Sequence, residues 1–290
     1  MILITGATGT LGDGVITHLL EKGAKKEDII GLVRSDEKAG PLRDKGVQVR
    51  FGNYDDYGSL ENAFNGVDTL LFISASEIPN RLSQHENVVK AAKNAGVAHI
   101  VYTSFARKNE SETSPIWSIA ESHLATEKWL KESGINHTIL KNNLYMDFIP
   151  GFVGDKVLET GTIYLPAGEG KVSTALRDEF AEAIATILLA PKQEKTVYDF
   201  TNVEAYDYEE IASYISDITG REITYHSPTL QAYSDILKEA GVPAEVIGIF
   251  GGFAAAQAQG ELDTVSHDLE KLLGRKPTSL KDYLAQVYGG

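Results

Sequence analysis

A glycine-rich turn near the start of the sequence carries the clearest chemical signal. Gly6, Gly9 and Gly12 are spaced three residues apart, between an apolar run at 2–4 and a stretch of helical apolar spacing at 13–23. Such glycines allow a sharp turn, close approach of the backbone to phosphates, and tight packing of a helix whose N-terminus faces the negative charge. The pattern predicts a turn that holds a dinucleotide pyrophosphate, and the alternative is an ordinary glycine-rich turn of another α/β protein. The residues assigned to the cofactor here are Gly6, Ala7, Thr8, Gly9, Thr10, Leu11 and Gly12.

Arg34 identifies which dinucleotide is expected. It directly follows the apolar run 29–33, where the adenosine ribose would lie. A carboxylate at this point would bind the free 2′-hydroxyl of NAD, whereas an arginine can pair with the 2′-phosphate of NADP. The sequence therefore predicts NADP as the cofactor, with NADPH preferred over NADH, and Lys38 could add positive charge. The alternative is a solvent-exposed surface arginine.

Polar residues follow the other predicted strands. Ligands of parallel α/β sheets bind at the carboxyl ends of the strands, so these residues should surround the cofactor. Asn53 and Tyr54 are expected near the adenine. Ser104 is a candidate catalytic hydrogen-bonding residue, or else a turn serine that satisfies the backbone. Asn142 and Asn143 are expected across from the nicotinamide. The remaining residues assigned to the cofactor by this argument are Ser74, Ala75, Ser76 and Thr103.

Alternating strands and helices are predicted to position these residues. The predicted strands lie at 2–4, 29–33, 47–51, 69–73, 99–103 and 136–141, and the helices between them at 13–23, 60–64, 81–95 and 118–133. This alternation predicts an α/β fold with a doubly wound parallel sheet (Rossmann, NAD(P)-binding) and a smaller α+β C-terminal lobe. We assign 1–147 to the NADP-binding domain, which also receives about 172–202 and the C-terminal segment. The lobe, about 148–171 and 203–262, is expected to bind the substrate.

Composition narrows the classes of function. The chain has 290 residues, a net charge of −14 and no cysteine. The acidic balance argues against nucleic-acid binding, and the lack of cysteine excludes disulfides and thiolate catalysis. The histidines show no paired ligand spacing, so no metal is expected. No apolar run approaches the roughly 18 residues of a membrane-spanning helix. Because a strand is predicted to start at Ile2, we expect no signal peptide and a cytoplasmic protein. The sequence leaves the oligomeric state open, and a homo-oligomer is possible.

These residues, in this order and spacing, resemble those of a known family. The chain resembles the NmrA-like group of atypical short-chain dehydrogenases/reductases, and within it the flavin-free bacterial NADPH:quinone oxidoreductases. The resemblance implies NADP binding and hydride transfer to a small quinone-like substrate without flavin or metal. The segments that carry it are 5–12, 33–34, 71–77, 84–88, 102–104, 123–128, 138–145, 167–171, 269–274 and 277–280.

One departure from the wider superfamily bears on the chemistry. Typical short-chain dehydrogenases carry Tyr-x-x-x-Lys on the helix after strand five, often with a Glu four residues further on. Taking Glu127 as that Glu places His123 at the Lys position and Ile119 at the Tyr position, so the tyrosine acid is missing. Because an isolated ketone needs a proton donor in the transition state, we expect poor carbonyl reduction. A quinone instead gives a stabilised oxyanion that water can protonate later, so mainly a well-placed nicotinamide is needed.

The catalytic and substrate candidates follow from this comparison. The resemblance places a histidine at position 123 in the quinone reductases, so His123 is the first catalytic candidate; otherwise it is a helix histidine that binds a neighbour. Phe105, Tyr145 and Phe148, with Phe152 and the segment 243–259, could stack on a planar acceptor. The helical spacing of 145, 148 and 152 fits a core equally well. The glycines of 250–260 fit either a mobile lid or a packed helix.

A second class of function stays open at this point. NmrA-like proteins also include redox sensors that bind NADP, lack Tyr-x-x-x-Lys and act by contacting a regulatory partner. A sensor would bind the cofactor without consuming it, so turnover of NADPH separates the two. A sugar-modifying or epimerase-like enzyme on the same fold is disfavoured because the Tyr–Lys pair is absent.

Overall fold

The computed structural model describes residues 1–191 and 197–289. The described residues form nine strands: β1 Ile2–Ile4, β2 Ile29–Val33, β3 Gln48–Phe51, β4 Thr69–Phe72, β5 His99–Phe105, β6 Asn136–Asn142, β7 Thr162–Tyr164, β8 Val197–Phe200 and β9 Thr224–His226. Seven of them make one parallel sheet in the order β3-β2-β1-β4-β5-β6-β8. The order reverses between β1 and β4, where ligand crevices form in doubly wound sheets.

Helices connect and cover these strands. They are α1 Thr10–Glu21, α2 Gly40–Asp44, α3 Tyr57–Phe64, α4 Arg81–Asn94, α5 Trp117–Ser133, α6 Ile149–Val153, α7 Val157–Thr160, α8 Arg177–Leu189, α9 Tyr208–Thr219, α10 Leu230–Glu239, α11 Ala244–Ala258, α12 Asp268–Leu273 and α13 Leu280–Tyr288. The predicted doubly wound parallel sheet is therefore confirmed. Four short helices, α2, α6, α7 and α12, were not among the predicted elements, because fewer than two turns give no readable periodicity.

The side chains of the sheet alternate between two buried clusters. Leu3 of β1 faces α3, α4 and α5, whereas Ile4 faces α1 and α8. In β2, Ile30 lies in the same cluster as Leu3, and Ile29 lies in the same cluster as Ile4. Because both faces are covered, the short central strands can consist almost wholly of apolar residues, as in β4. Helices on both faces leave only the ends of the strands open to a ligand.

The smaller lobe has its own apolar cluster. β7 and β9 pair in parallel as a two-stranded sheet, and Ile163 of β7 packs with Ile211 of α9. The predicted small α+β lobe is thus present. The C-terminal segment divides between the two parts: Leu269 of α12 joins the cluster under the main sheet, whereas Leu280 of α13 packs in the lobe.

The exact division of the chain stays a prediction. The range 172–202 assigned to the NADP-binding domain includes 192–196, which lie outside the described residues. No helix within 1–191 or 197–289 is long and apolar enough to cross a membrane. No group of three or more His, Asp or Glu side chains in those ranges is arranged to hold a metal ion.

Candidate active site

The glycine turn between β1 and α1 is built for close approach. Gly6 has a φ of +58°, a conformation that side chains other than glycine rarely adopt. Its carbonyl oxygen accepts a hydrogen bond of 3.0 Å from the N–H of Gly9. A Cβ on Gly12 would collide with that same carbonyl. Because no side chain caps the N-terminus of α1, its first N–H groups are left for another acceptor.

Arg34 lies beyond the carboxyl end of β2, on the same sheet edge as the turn. Its side chain is 71% exposed, and its Nη1 lies 3.4 Å from Oε1 of Glu77, in the loop after β4. An exposed pair of this length contributes little to stability. The guanidinium is therefore free to exchange Glu77 for a stronger anionic partner. Asp36 does not occupy it, because that carboxylate pairs with Arg43 at 2.5 Å.

Hydrogen bonds fix the ends of β4 and β5. Thr103 Oγ1 accepts a 2.9 Å bond from the N–H of Ser74. The N–H of Ala75 donates to Nε2 of His85 at 2.9 Å. Tyr54, predicted near the adenine, donates to the carbonyl of Ile73 at 2.8 Å. Ser74 and Ala75 are thus held to β5 and α4, while Ser76 is exposed.

An apolar cavity of about 300 Å³ opens beside these strand ends. A volume of this size is at the lower end for small-molecule sites, and it suits a single ring system. Phe105, Tyr145, Phe148 and Phe152, which were predicted to hold a planar acceptor, all line it. The structure thus brings the sequence-predicted aromatics to one place. The other lining residues are Ser74, Arg81, Thr103, Ser104, Ile119, His123, Asn142, Asn143, Leu144, Ile249, Phe250 and Phe253.

Segment 243–259 closes one side of the cavity as the continuous helix α11. A Cβ on Gly251 would come within 2.8 Å of Leu230, and one on Gly252 within 3.0 Å of the Pro115 carbonyl. The glycines therefore serve close packing in the middle of a helix. Of the two interpretations, this arrangement favours the packed helix over a hinged lid.

Asn142, at the end of β6, presents a buried amide to the cavity. The residue is 3% exposed, and neither Oδ1 nor Nδ2 has a hydrogen-bond partner of standard geometry among the described residues. Burial raises the pKa of the nearby Tyr145 hydroxyl, and the Asn142 amide opposes this in part. An unpaired buried amide is costly, so this side chain is suited to a ligand that both donates and accepts.

His85 and Tyr102 determine the protonation of His123. The Ala75 N–H can only donate, so Nε2 of His85 accepts and its proton is on Nδ1. That Nδ1 donates to Thr126 Oγ1 at 2.8 Å. Since it carries a proton, it cannot accept from Tyr102, whose hydroxyl lies 2.7 Å from Nδ1 of His123. With Tyr102 as the donor in this bond, His123 is neutral and carries its proton on Nε2.

Burial keeps both histidines neutral. Burial lowers the pKa of His85 to about 3, with a smaller contribution from the charge of Arg81. The pKa of His123 is also lowered well below its usual value, first by burial and next by Arg81. Burial raises the pKa of Tyr102. His123 therefore offers a hydrogen-bond donor, Nε2–H, rather than an imidazolium.

Ser104 is engaged by a buried ion pair. Its Oγ donates to Oε1 of Glu127 at 2.5 Å. Arg107 donates to the same carboxylate oxygen at 3.0 Å and to the Phe105 carbonyl at 2.8 Å. In this arrangement the Ser104 proton is committed to Glu127, so Ser104 is not poised to give it to an acceptor. The Ser104 hydroxyl therefore donates to a carboxylate, and not to the backbone of its turn as in the alternative interpretation.

Three residues that line the site or bond its residues were not found from the sequence. Tyr102 reads as an ordinary strand residue, and only its bond to His123 reveals a role. Arg81 did leave a signal: it stands at the start of α4, where the helix dipole disfavours a cation. His85 lies in a segment that carried the family resemblance, but no role was assigned to it.

The buried histidines predict how stability depends on pH. Their pKa values in the folded state lie below the unfolded value of about 6.5, so the unfolded state binds more protons between the two. We expect full stability above about pH 6.5 and a decline below it, by up to about 1.4 kcal/mol per pH unit for each histidine. For His85 the window extends down to its folded pKa of about 3. Urea unfolding at pH 7, 6 and 5 measures the slope.

A pair of variants isolates this effect. His85→Gln keeps an acceptor for Ala75 but cannot titrate, so the slope between pH 7 and 5 should become shallower. His226→Gln, at an exposed position, should leave the slope unchanged. Equal slopes in the wild type and His85→Gln would contradict the assignment of a neutral buried His85.

Comparisons with known proteins agree with this geometry. The model of the NmrA-like family matches residues 1–284. The chain is 34% identical over 288 residues to quinone oxidoreductase 2 of Escherichia coli (strain K12), and the match covers 99% of each.

Two solved structures of reductases superpose on nearly the whole chain. Citrobacter sp. triphenylmethane reductase in complex with NADP(H) superposes with a TM-score of 0.90 at 39% identity, over 99% of each chain. An NADPH-dependent quinone oxidoreductase of Escherichia coli in complex with NADPH also has a TM-score of 0.90, at 34% identity, over 99% of this chain and 100% of that chain.

Proposed function

Because the chain belongs to the NmrA-like family, as its sequence predicted, we propose that it is an NADPH-dependent reductase that transfers hydride to a quinone or related conjugated acceptor without flavin. The observation that carries the proposal is the aromatic cavity of about 300 Å³, which adjoins the strand ends beside the glycine turn. An acceptor ring stacked in this cavity would lie next to Asn142 and His123. The relatives that reduce quinones or use NADPH support the same chemistry.

The residues present fit NADP. Gly12 packs so closely on the carbonyl of Gly6 that a methyl group would not fit there. No side chain caps the N-terminus of α1. These groups would hold the pyrophosphate, and Arg34 the 2′-phosphate. The unpaired amide of Asn142 would satisfy a carboxamide, which has one donor and one acceptor side. When bound, NADPH supplies the hydride.

The chain's own groups would orient the acceptor and stabilise its developing charge. The ring centroid of Phe105 lies 6.2 Å from that of His123 and 5.8 Å from that of Phe253, so these rings pack together and form an aromatic wall against which the acceptor would lie. His123 would donate Nε2–H to the acceptor oxygen as it becomes negative. Because Tyr102 keeps Nδ1 occupied and burial disfavours the imidazolium, His123 stays neutral. The product oxyanion would take its proton from water.

A turnover experiment tests the proposal. Purified protein is mixed with NADPH and 1,4-benzoquinone without added flavin, and the loss of NADPH absorbance is followed. We expect enzyme-dependent turnover, with a supernatant free of flavin after the protein is denatured. Cyclohexanone is the matched control: it has the same ring size, but its reduction gives an alkoxide that needs a proton donor. We expect no measurable reduction of cyclohexanone, because Ile119 stands where a tyrosine acid would be.

The other outcomes are equally informative. Saturable NADP binding by calorimetry with no consumption of NADPH by any quinone would overturn the reductase and favour the redox sensor. Turnover that appears only when flavin is added would contradict the flavin-free part of the proposal.

A further inference from the structure

Arg81 is a buried cation without a partner. Its side chain points from the start of α4 into the protein and is 8% exposed. Its Nε is buried without a hydrogen-bond partner, and the guanidinium forms no hydrogen bond or ion pair with any described residue. Keeping a cation largely withdrawn from water without an ion-pair partner is unfavourable. A group retained at such a cost is a candidate for binding something that is absent from the free chain.

The neighbours of Arg81 do not neutralise it. Among the described residues that line the cavity, Arg81 is the one charged side chain. His85 and His123 are close enough that the arginine lowers their pKa values, and both are neutral. Glu127, a buried carboxylate that accepts a hydrogen bond from the lining residue Ser104, is also bound by Arg107. The cavity is therefore apolar and aromatic with a single positive charge in its wall.

We propose that Arg81 binds the oxygen of the acceptor that becomes negative during hydride transfer, and that it thereby selects neutral acceptors over cationic ones. This inference rests on the proposed function, because it identifies the substrate class of the same cavity. Arg81 and His123 both line the cavity, and the arginine lies near enough to lower the pKa of that histidine, so both would donate to one developing oxyanion.

The charges of the reaction account for the selection. A neutral quinone accepts a hydride, that is, two electrons and one hydrogen nucleus, from NADPH and becomes a hydroquinone monoanion, while NADPH becomes NADP⁺. Water then protonates the anion. Negative charge appears in the acceptor, so a fixed cation stabilises the transition state. A cationic triphenylmethane dye becomes neutral when it accepts hydride, so the same cation repels it and gives no such stabilisation.

A binding experiment tests the site without catalysis. 4-Nitrophenol is a planar stand-in for the hydroquinone anion, and its phenolate is yellow. It is titrated with pH in the presence of the protein, with and without NADP⁺. An opposite charge at close range should lower the apparent pKa of the bound phenol by about one to three pH units. Arg81→Met should abolish that lowering, and Arg81→Lys, which keeps the charge, should retain most of it.

Kinetics with two acceptors test the selectivity. Arg81→Met should reduce kcat/KM for 1,4-benzoquinone by about 10²- to 10³-fold. The same variant should leave kcat/KM for a cationic triphenylmethane dye unchanged or raise it. The ratio of kcat/KM for benzoquinone to kcat/KM for the dye should therefore fall by at least as much as kcat/KM for benzoquinone. Arg50→Met is the matched control: this partly buried arginine donates to the carbonyls of Ala63 and Asn65 and does not line the cavity.

The melting temperature of Arg81→Met separates the proposed role from a structural one, because loss of a structural arginine would lower it. Because Met has no charge to bury, Arg81→Met should unfold at the same or a higher temperature than the wild type. A lower melting temperature together with an unchanged nitrophenol titration would overturn the proposal and make Arg81 structural. A weaker calorimetric affinity for NADP⁺ with an unchanged nitrophenol titration would overturn it too, since Arg81 would then bind the dinucleotide.

The failure of this inference can be told from the failure of the proposed function. If no quinone is reduced but the bound nitrophenol titrates at a lower pH only when Arg81 is present, the anion site stands and the reductase does not. If quinones are reduced equally well by wild type and Arg81→Met, the reductase stands and the role of Arg81 is refuted.

Discussion

Replacing Arg34 with alanine is expected to raise the KM for NADPH by about 10- to 100-fold and to leave the KM for NADH nearly unchanged. A hydrogen-bonded pair between a charged donor and a phosphate contributes about 1.5–3 kcal/mol, and 1.4 kcal/mol is about tenfold in affinity. Arg34 is well placed for this contact, because it is exposed at the end of β2 and held only by a 3.4 Å contact with Glu77. Steady-state kinetics with both cofactors and benzoquinone provide the measurement.

Two further variants sharpen this test. Glu77→Gln removes the carboxylate that competes for Arg34, so it should lower the KM for NADPH by a few fold. Arg221→Ala removes an exposed arginine that donates to the Leu158 carbonyl in the lobe, and it should change neither KM. If Arg34→Ala weakened NADH and NADPH alike, Arg34 would not be the residue that recognises the 2′-phosphate.

Replacing Gly12 with alanine should weaken NADP⁺ binding by about 100-fold or more and also destabilise the fold. The new Cβ would lie 2.8 Å from the carbonyl carbon of Gly6 and 2.9 Å from Cα of Ala7, so the turn and α1 would have to separate. Overpacking of this kind costs about 1–3 kcal/mol or more, and it displaces the N–H groups that would face the phosphates. Calorimetric titration with NADP⁺ and a thermal melt measure the two effects.

Two other glycines separate binding from folding. Gly9 has φ and ψ of −82° and 162°, which alanine adopts without strain, and its Cβ would lie 3.3 Å from the Gly6 carbonyl oxygen. Gly9→Ala should therefore fold normally but bind NADP⁺ more weakly. Gly58→Ala, at an exposed position of α3, should bind normally and gain about 0.5–1 kcal/mol of stability. Normal NADP⁺ affinity in both Gly12→Ala and Gly9→Ala would refute the assignment of the turn.

The elements of the main sheet were predictable because their signals are local. An apolar run such as Thr69–Phe72 is interpretable as a buried strand without knowing its neighbours, and its flanking loops are short. Gly96 and Gly134, at φ values of +74° and +81°, end α4 and α5 where the sequence predicted. The start of α1 was placed three residues late, since Gly9 is its N-cap and no capping side chain marks the position. Helix α12 was missed because it is only six residues long.

The location of the site was also predictable, since it depends on topology. The carboxyl ends of parallel strands share one edge of a sheet, so Ser74, Thr103 and Asn142 could be brought together from their positions at or just beyond the carboxyl ends of β4, β5 and β6. Whether the aromatic residues line a cavity or form a core was harder to predict. The helical spacing of Tyr145, Phe148 and Phe152 fitted a core as well as a cavity, and only the position of α11 opposite them decided the question.

The sequence by itself determined the doubly wound sheet, the glycine turn, Arg34 after β2 and the absence of a tyrosine acid. Each depends on residue types at short spacing along the chain. The tertiary structure alone decided the chemistry of the cavity wall: the bond from Tyr102 to His123, the commitment of Ser104 to Glu127, and the unpaired Arg81. A proton position or an ion pair depends on distances of a few ångströms between side chains far apart in sequence. Periodicity and motif spacing carry no record of those distances, because side-chain direction and partner choice are settled only when the elements pack.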